Sequence, residues 1–441
     1  MDKKIPDFPK NNKGVLNAWA FFDWANSSYA LVITVAIFPV YFLASTDDML
    51  QLFGLEVSNS ALYAFSITVA YLTISVLAPL LSGIADTTGR RKFFMQFFTW
   101  MGGISCIGMF FFTGDVDWSW KIGIAGFIIS MIGFAGGIVF YNSYLPIIAT
   151  PDRFDRLSAH GFALGYYGSV ILLVFILTMI QFHEFLGMAH SVAVRVSFLL
   201  VGVWWIGFAQ ITFRAMPKDL RTPFSRESFV KGYRELLLVW KNVRKKAGTR
   251  GFLMSFFFYS AGVQTVLFLA SAFAESELSF GEAELILIVI ILQLVAAGGA
   301  YLFAKISYFR GNKYSLMLML FIWTSICVSA YFIEEKYQFY VLASFVGLVM
   351  GGIQSLSRST YSKLMPEKTQ DVSSYFSFYE ATEKIAIVIG TFSFGFIDQL
   401  TGGMRNSVLA LAVFFVIGMI FLYFTPFERV RKKNAKAEEF D

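Results

Sequence analysis

Five ionisable side chains interrupt stretches that are otherwise apolar enough to cross a membrane: Asp23, Arg358, Glu380, Glu383 and Lys384. Charge in hydrocarbon is costly and persists where it meets a cavity or a partner. Their chemistry is therefore ion pairing, solute binding or proton exchange. Glu380 and Lys384 are one helical turn apart and are expected to pair. Glu383 is then left to take a proton, a solute ammonium or Arg358, and burial would bring such a carboxyl toward titration near neutrality. The competing reading is a structural charge network that locks the ends of two neighbouring helices.

Uncharged polar residues accompany these charges. Asn26 and Tyr29 follow Asp23 in NAWAFFDWANSSYA, while Asn142, Tyr166, Gln264, Gln293 and Gln354 sit in other apolar runs. Each alone is satisfied by a helix–helix hydrogen bond, but together they form a plausible polar cavity lining. His160 begins the fifth apolar run, at the interface, and is read as loop chemistry. No HExxH, paired histidine or nucleophile–base motif is present, so an enzyme is not expected, nor are a cofactor or a bound metal. Cys106 and Cys327 read as small core residues.

Composition shows what must position these groups. Hydrophobic residues make up 56 %, charged residues 15 %, and Phe alone accounts for 51 of 441 positions. Mean hydropathy is +0.62. Twelve apolar runs of about 20 residues, the length that spans a bilayer, give an all-α membrane protein with twelve transmembrane helices in two six-helix halves. The expected division is residues 1–16, an N-terminal bundle 17–214, a linker 215–250, a C-terminal bundle 251–425 and a tail 426–441. Residues 1–16 are polar and lead directly into a full-length span, so no cleavable signal is expected.

Of the 36 Lys and Arg, 31 fall on the side that carries both termini and the linker, which is expected to be cytoplasmic. That bias also explains the net charge of +6 without nucleic acid. The opposite loops are acidic, with Asp47, Asp48, Glu275, Glu277 and Glu282. Gly136-Gly137-Ile138 recurs as Gly351-Gly352-Ile353, and Ser158 matches Ser373, which points to duplicated halves with a site between them. The linker is expected to carry a helix at the membrane surface, its apolar stripe formed by Phe229, Tyr233, Leu236, Leu237 and Trp240.

The loop after the second span reads LSGIADTTGRRK. Asp86, Gly89, Arg90 and Arg91 in that spacing resemble the signature between helices 2 and 3 of the major facilitator superfamily. The resemblance implies a tight turn and an acid that latches the two halves on the cytoplasmic side. Ser82 and Thr87 depart from the usual pattern, and Tyr308 stands where the second half would carry an acid.

The first span, SAHGFALGYYGS (158–169), FFFYSAGVQT (256–265) and GGIQSLSRS (351–359) are similar to the superfamily's vacuole-effluxer branch, related to autophagy. That branch often has an acid where Ala261 stands here. The resemblance implies a secondary transporter that moves a small polar solute by alternating access, with amino acids the activity attached to fungal members. Protons, the lipid bilayer, a monomer and a bacterial inner membrane complete the expectation. The alternatives are a lipid or lysolipid transporter, or a solute sensor that does not transport.

Overall fold

The computed structural model describes residues 9–52, 54–114, 118–220, 226–366, 369–401 and 403–427, with side chains of 226–229 and Glu282 excepted. The basic tail beyond Phe427, residues 1–8 and the Phe229 and Glu282 side chains thus lie outside the described residues. The first half contains α1 (Lys13–Ala44), α2 (Asn59–Thr88), α3 (Arg91–Phe111), α4 (Ser119–Ile148), α5 (Phe154–Gln181) and α6 (His190–Ala215). The linker forms α7 (Arg226–Lys245). The second half contains α8 (Ala247–Leu278), α9 (Glu282–Arg310), α10 (Asn312–Tyr331), α11 (Lys336–Leu364), α12 (Val372–Thr401) and α13 (Met404–Phe424). The twelve helices other than α7 are long and apolar enough to cross a membrane, which makes this an integral, multi-pass membrane protein.

Two departures from the expected architecture are local. A short antiparallel hairpin of β1 (Met49–Leu52) and β2 (Leu55–Ser58) joins α1 to α2, so the chain is nearly, rather than wholly, helical. The seventh span begins at Ala247, four residues before the expected 251, because the linker helix runs almost directly into it.

The first span is not a uniform helix. Residues Tyr29–Ile37 form a π-helix, with the Phe38 N–H donating to the Ile33 carbonyl. This wide turn lies just before Pro39, whose missing N–H removes one rung of the ordinary ladder. Asn26, Ser27, Tyr29 and Thr34, on either side of the transition, border the central cavity.

Each half builds its own core. One cluster draws on residues from Leu16 to Met216 and admits Ile387 from the second half. The other is drawn almost wholly from Val239 to Leu422, with Ala163 and Tyr166 crossing from the first half. The halves meet along α2–α12, α5–α9 and α5–α11. Phe65, Phe93, Phe97, Phe175 and Phe392 point outward. Others, such as Phe22, Phe38, Phe98 and Phe127, are buried, so a surface against lipid tails accounts for only part of the high Phe content.

Candidate functional site

Arg358, on α11 up to about two turns beyond Gly351-Gly352-Ile353, is the hub between the halves. It is 3 % exposed, and its donors are directed almost entirely across the interface. Nε donates to Ser158 Oγ at 2.8 Å and one terminal nitrogen to the Ser158 carbonyl at 2.9 Å. The other donates to Asp23 Oδ2 and Asn142 Oδ1, both at 3.2 Å. The guanidinium also sits over the rings of Trp19, Tyr141 and Phe162, at 4.8, 5.3 and 4.3 Å from their centroids. Arg358 therefore fastens α11 to α1, α4 and α5 at once. Four hydrogen bonds thus engage its planar fork of five N–H donors.

Gly161 makes this closure possible. A Cβ there would lie 2.5 Å from Asp23 Oδ2 and 3.1 Å from Arg358 Nη2. Tyr141 completes the seal by donating to Asp23 Oδ2 at 2.8 Å, while its ring stacks on Trp19 at 4.5 Å.

Asn142 extends the chain into α12. Its Oδ1 accepts from Arg358, and its Nδ2 donates to Glu380 Oε1 at 2.8 Å. Glu380 is 4 % exposed, and its Oε2 receives no hydrogen bond among the described residues, though Lys384 pairs with it at longer range. Lys384 Nζ is 3.4 Å from Glu380 but 2.6 Å from Glu383, which also accepts from Gln264 at 3.2 Å. The expected Glu380–Lys384 pair is thus present, but Glu383 is the nearer partner. The long, flexible lysine stem brings the ammonium onto the adjacent residue, although sequence neighbours do not face each other on a helix. Lys384 also lies 5.6 Å from the Tyr71 ring centroid.

Above this floor is a cavity of about 290 Å³ between the halves. Asp23, Asn26, Tyr29, Asn142, Tyr166 and Gln264 border it, as do Gln293, Gln354, Arg358, Glu380, Glu383 and Lys384. Some of these point their polar atoms elsewhere. The Tyr29 hydroxyl bonds Ser130 at 2.8 Å, within the first half. Tyr166 donates to Gln354 Oε1 at 2.6 Å, joining α5 to α11. His160 lies near the start of α5, and in place of loop chemistry its Nδ1 is 2.9 Å from the Tyr301 hydroxyl across the interface.

Asp86, Gly89 and Arg91 form a separate cluster at the face that carries the termini. Gly89, at φ +67°, turns the chain out of α2. Arg91 lies 2.8 Å from Asp86 and also donates to Ser373 Oγ and the Gln370 carbonyl. Asp86 accepts from the backbone N–H groups of Ser373 and Ser374 at 3.2 and 2.8 Å, capping α12 from the opposite half. Arg90 is not among the residues that border this cluster's cavity.

A second cross-half cluster was not anticipated from sequence. Asp155, at the start of α5, accepts from Lys363 at 2.7 Å and from Ser307 and Asn312 at 2.9 Å each. In the second half, Tyr308 occupies the position equivalent to Asp86, and the acid comes instead from the opposing helix. Asp155 was hidden in a loop whose flanking Arg153 and Arg156 read as positive-inside charge. Gly311 provides the matching turn, at φ +86°.

Comparison with known proteins agrees with this architecture. A sequence model of the family described as vacuole effluxer Atg22-like matches residues 11–435. An uncharacterised MFS-type transporter, YxiO of Bacillus subtilis (strain 168), is 30 % identical over 415 residues, covering 93 % of this chain and 95 % of that protein. Autophagy-related protein 22 of Saccharomyces cerevisiae (strain YJM789) is 27 % identical over 436 residues, covering 87 % and 80 %. Among solved structures, the E. coli fucose:proton symporter FucP superposes with a TM-score of 0.68 at 14 % identity, covering 94 % of this chain and 98 % of that one. A bacterial homologue of the iron transporter ferroportin, in its outward-facing state, gives 0.67 at 13 % identity, covering 93 % and 98 %. At such low identity the structural likeness speaks for the fold.

Proposed function

Because this chain belongs to the vacuole effluxer family and has the fold of major facilitator transporters, we propose that it is a proton-coupled secondary transporter of a small polar solute. Family and fold are those of transporters, not enzymes. The observation that carries the coupled reading is the polar chain Asp23–Arg358–Asn142–Glu380, which crosses between the halves at the cavity floor.

The charges around that chain do not balance. Asp23, Glu380 and Glu383 face Arg358 and Lys384, leaving one negative charge when all five ionise. A proton, or a cationic group on the solute, neutralises it. Glu380 Oε2 is the place for it, because it has Lys384 at 3.4 Å whereas Glu383 holds Lys384 at 2.6 Å and Gln264 as well. Protonation of Glu380 replaces a charge-assisted acceptor with a neutral one and weakens the bond from Asn142. The halves are then held less tightly at the floor, and the latches at Asp86 and Asp155 become free to part.

The arrangement seen here, with polar contacts gathered on the face that carries the termini, corresponds to the state closed on that side. The excess of Lys and Arg there supports a cytoplasmic assignment. A cavity lined by both signs of charge favours an amphoteric or polar solute over a lipid, and free amino acids are the first class to test. Proteoliposomes containing a pH-sensitive dye should report proton movement when one member of a panel of amino acids, sugars and nucleosides is added. A solute that is transported with no accompanying proton flux at any pH would refute proton coupling.

A further inference from the structure

The linker helix has two unlike faces: Leu236 of its apolar stripe packs against the protein, while Tyr233, Leu237 and Trp240 lie on a more exposed flank. Gly232, Leu236, Val239 and Val243 are buried. Val230, Tyr233, Leu237 and Trp240, between 44 and 53 % exposed, form a strip on a neighbouring flank. Exposed Arg234, Lys241, Arg244 and Lys245 run beside that strip.

The height of this helix is fixed by its attachments. The buried face lies on α2, where a Cβ on Gly83 would collide with the Gly232 carbonyl, so the two backbones touch. Gly83 is five residues from the end of α2, roughly 8 Å along the axis. Trp240 is 5.3 Å from the Phe378 ring of α12, and only Lys246 separates α7 from α8. The helix is therefore held at the ends of three membrane-spanning helices, at the level where hydrocarbon gives way to headgroups. Its preceding segment is also fastened to the gate: Asp219 accepts from the N–H groups of Lys92 and Phe93 at 2.9 and 2.8 Å, and Leu220 N–H donates to the Gly89 carbonyl at 3.1 Å.

We propose that α7 seats its Tyr233–Leu237–Trp240 flank on an anionic phospholipid surface and thereby steadies the closed positions of α2 and α12. An apolar strip edged with basic residues is the chemistry that binds such a surface. Because α7 touches α2 backbone to backbone, α2 cannot swing away without moving the lipid-bound helix.

The test uses the full chain and needs no transported solute. A Leu237→Cys variant is labelled with an environment-sensitive dye; native Cys106 and Cys327 are both buried. It is reconstituted in vesicles of phosphatidylcholine alone or with phosphatidylglycerol. The expected result is a blue shift of the emission in anionic vesicles only, reduced by high salt and lost when Lys241, Arg244 and Lys245 are changed together to Gln. Equal emission in both vesicles, or a blue shift that survives charge removal, overturns lipid recognition; a shift that requires an added soluble protein does so as well. For the gate, a Gln354→Cys probe should react more slowly with a thiol reagent applied from the terminal face in anionic vesicles, and adding Gly232→Val should abolish that difference. Equal reactivity in the two vesicles without Gly232→Val overturns the link between lipid and gate.

Discussion

Asp86, on the last turn of α2, accepts the backbone N–H of Ser374 at 2.8 Å, so a carboxylate of one half caps the first turn of a helix in the other. The superfamily-like loop signature thus does more than pair an acid with an arginine. It holds the exposed donors at a helix N-terminus, and Arg91 bridges the same two elements.

Asp86→Asn should therefore weaken the closed state more than an exposed ion pair would. Its side chain is 1 % exposed and that of Arg91 8 %, and loss of one partner from such a buried pair costs about 3–5 kcal/mol. A cysteine at Gln354 should become markedly more reactive toward a reagent applied from the terminal face. Unchanged reactivity in a folded Asp86→Asn protein would remove the latch role.

The second latch should behave as a coupled pair. Asp155→Asn and Lys363→Met are expected to be non-additive in the same accessibility measurement, with a coupling of about 0.5–3 kcal/mol. The 2.7 Å contact and the shared partner Asn312 are the basis. Simple additivity would show that the contact is incidental to closure.

Acidity on the terminal face should tighten the closed state. Asp371, beside the first latch, has its carboxyl pushed up to about 6, chiefly by burial and then by Asp86 and Glu235, with Arg91 opposing. Lys218, Asp219 and Lys231 border the same recess. In an opened gate the group returns toward its ordinary value of about 3.9. The proton is thus held more tightly when closed. The contribution to closure is fully present below about pH 4 and is lost as pH rises to about 6. Accessibility of the Gln354→Cys probe should increase across that window, and Asp371→Asn should flatten the profile. A profile that runs the other way contradicts the assignment.

Gly161→Val should hold the floor apart. A Cβ there lies 2.5 Å from an oxygen of Asp23, and neither Asp23 nor Arg358 has room to retreat without breaking bonds to Tyr141 and Ser158. The expected outcome is a folded protein with a cavity reachable from the terminal face and little net accumulation of solute. Normal accumulation would show that the floor tolerates the added carbon atoms.

Much of the site was legible because intramembrane charge is rare enough to be a signal by itself. Asp23, Arg358, Glu380, Glu383 and Lys384 were identifiable from residue type and apolar context, and the structure brings all five to one cavity. That the lysine pairs with both acids, and with Glu383 more closely, was not legible, since it depends on how a flexible stem folds over one turn of helix. Asp155 was lost against neighbouring arginines that a topology rule had already explained. The linker's contact with α2 left no apolar signal of its own. Apolar periodicity marks Tyr233, Leu236, Leu237 and Trp240, of which Leu236 is buried, whereas the close approach is set by Gly232, which contributes closeness rather than hydrophobicity. The β1–β2 hairpin, by contrast, left a short alternation in MLQL and LEVS around Gly54, which the long apolar spans on either side overshadowed.

The central claim is that Glu380 carries the coupled proton, and comparison of two single substitutions tests it most directly. Glu380→Gln and Glu383→Gln proteins are reconstituted in vesicles, and accumulation of the transported solute is followed under an imposed pH gradient, alongside exchange at equal pH. The expected result is that Glu380→Gln still exchanges solute but no longer concentrates it. Glu383→Gln should retain pH-driven accumulation, at reduced rate because Lys384 loses its nearest partner. Full pH-driven accumulation by Glu380→Gln, or its loss in Glu383→Gln alone, would contradict the account.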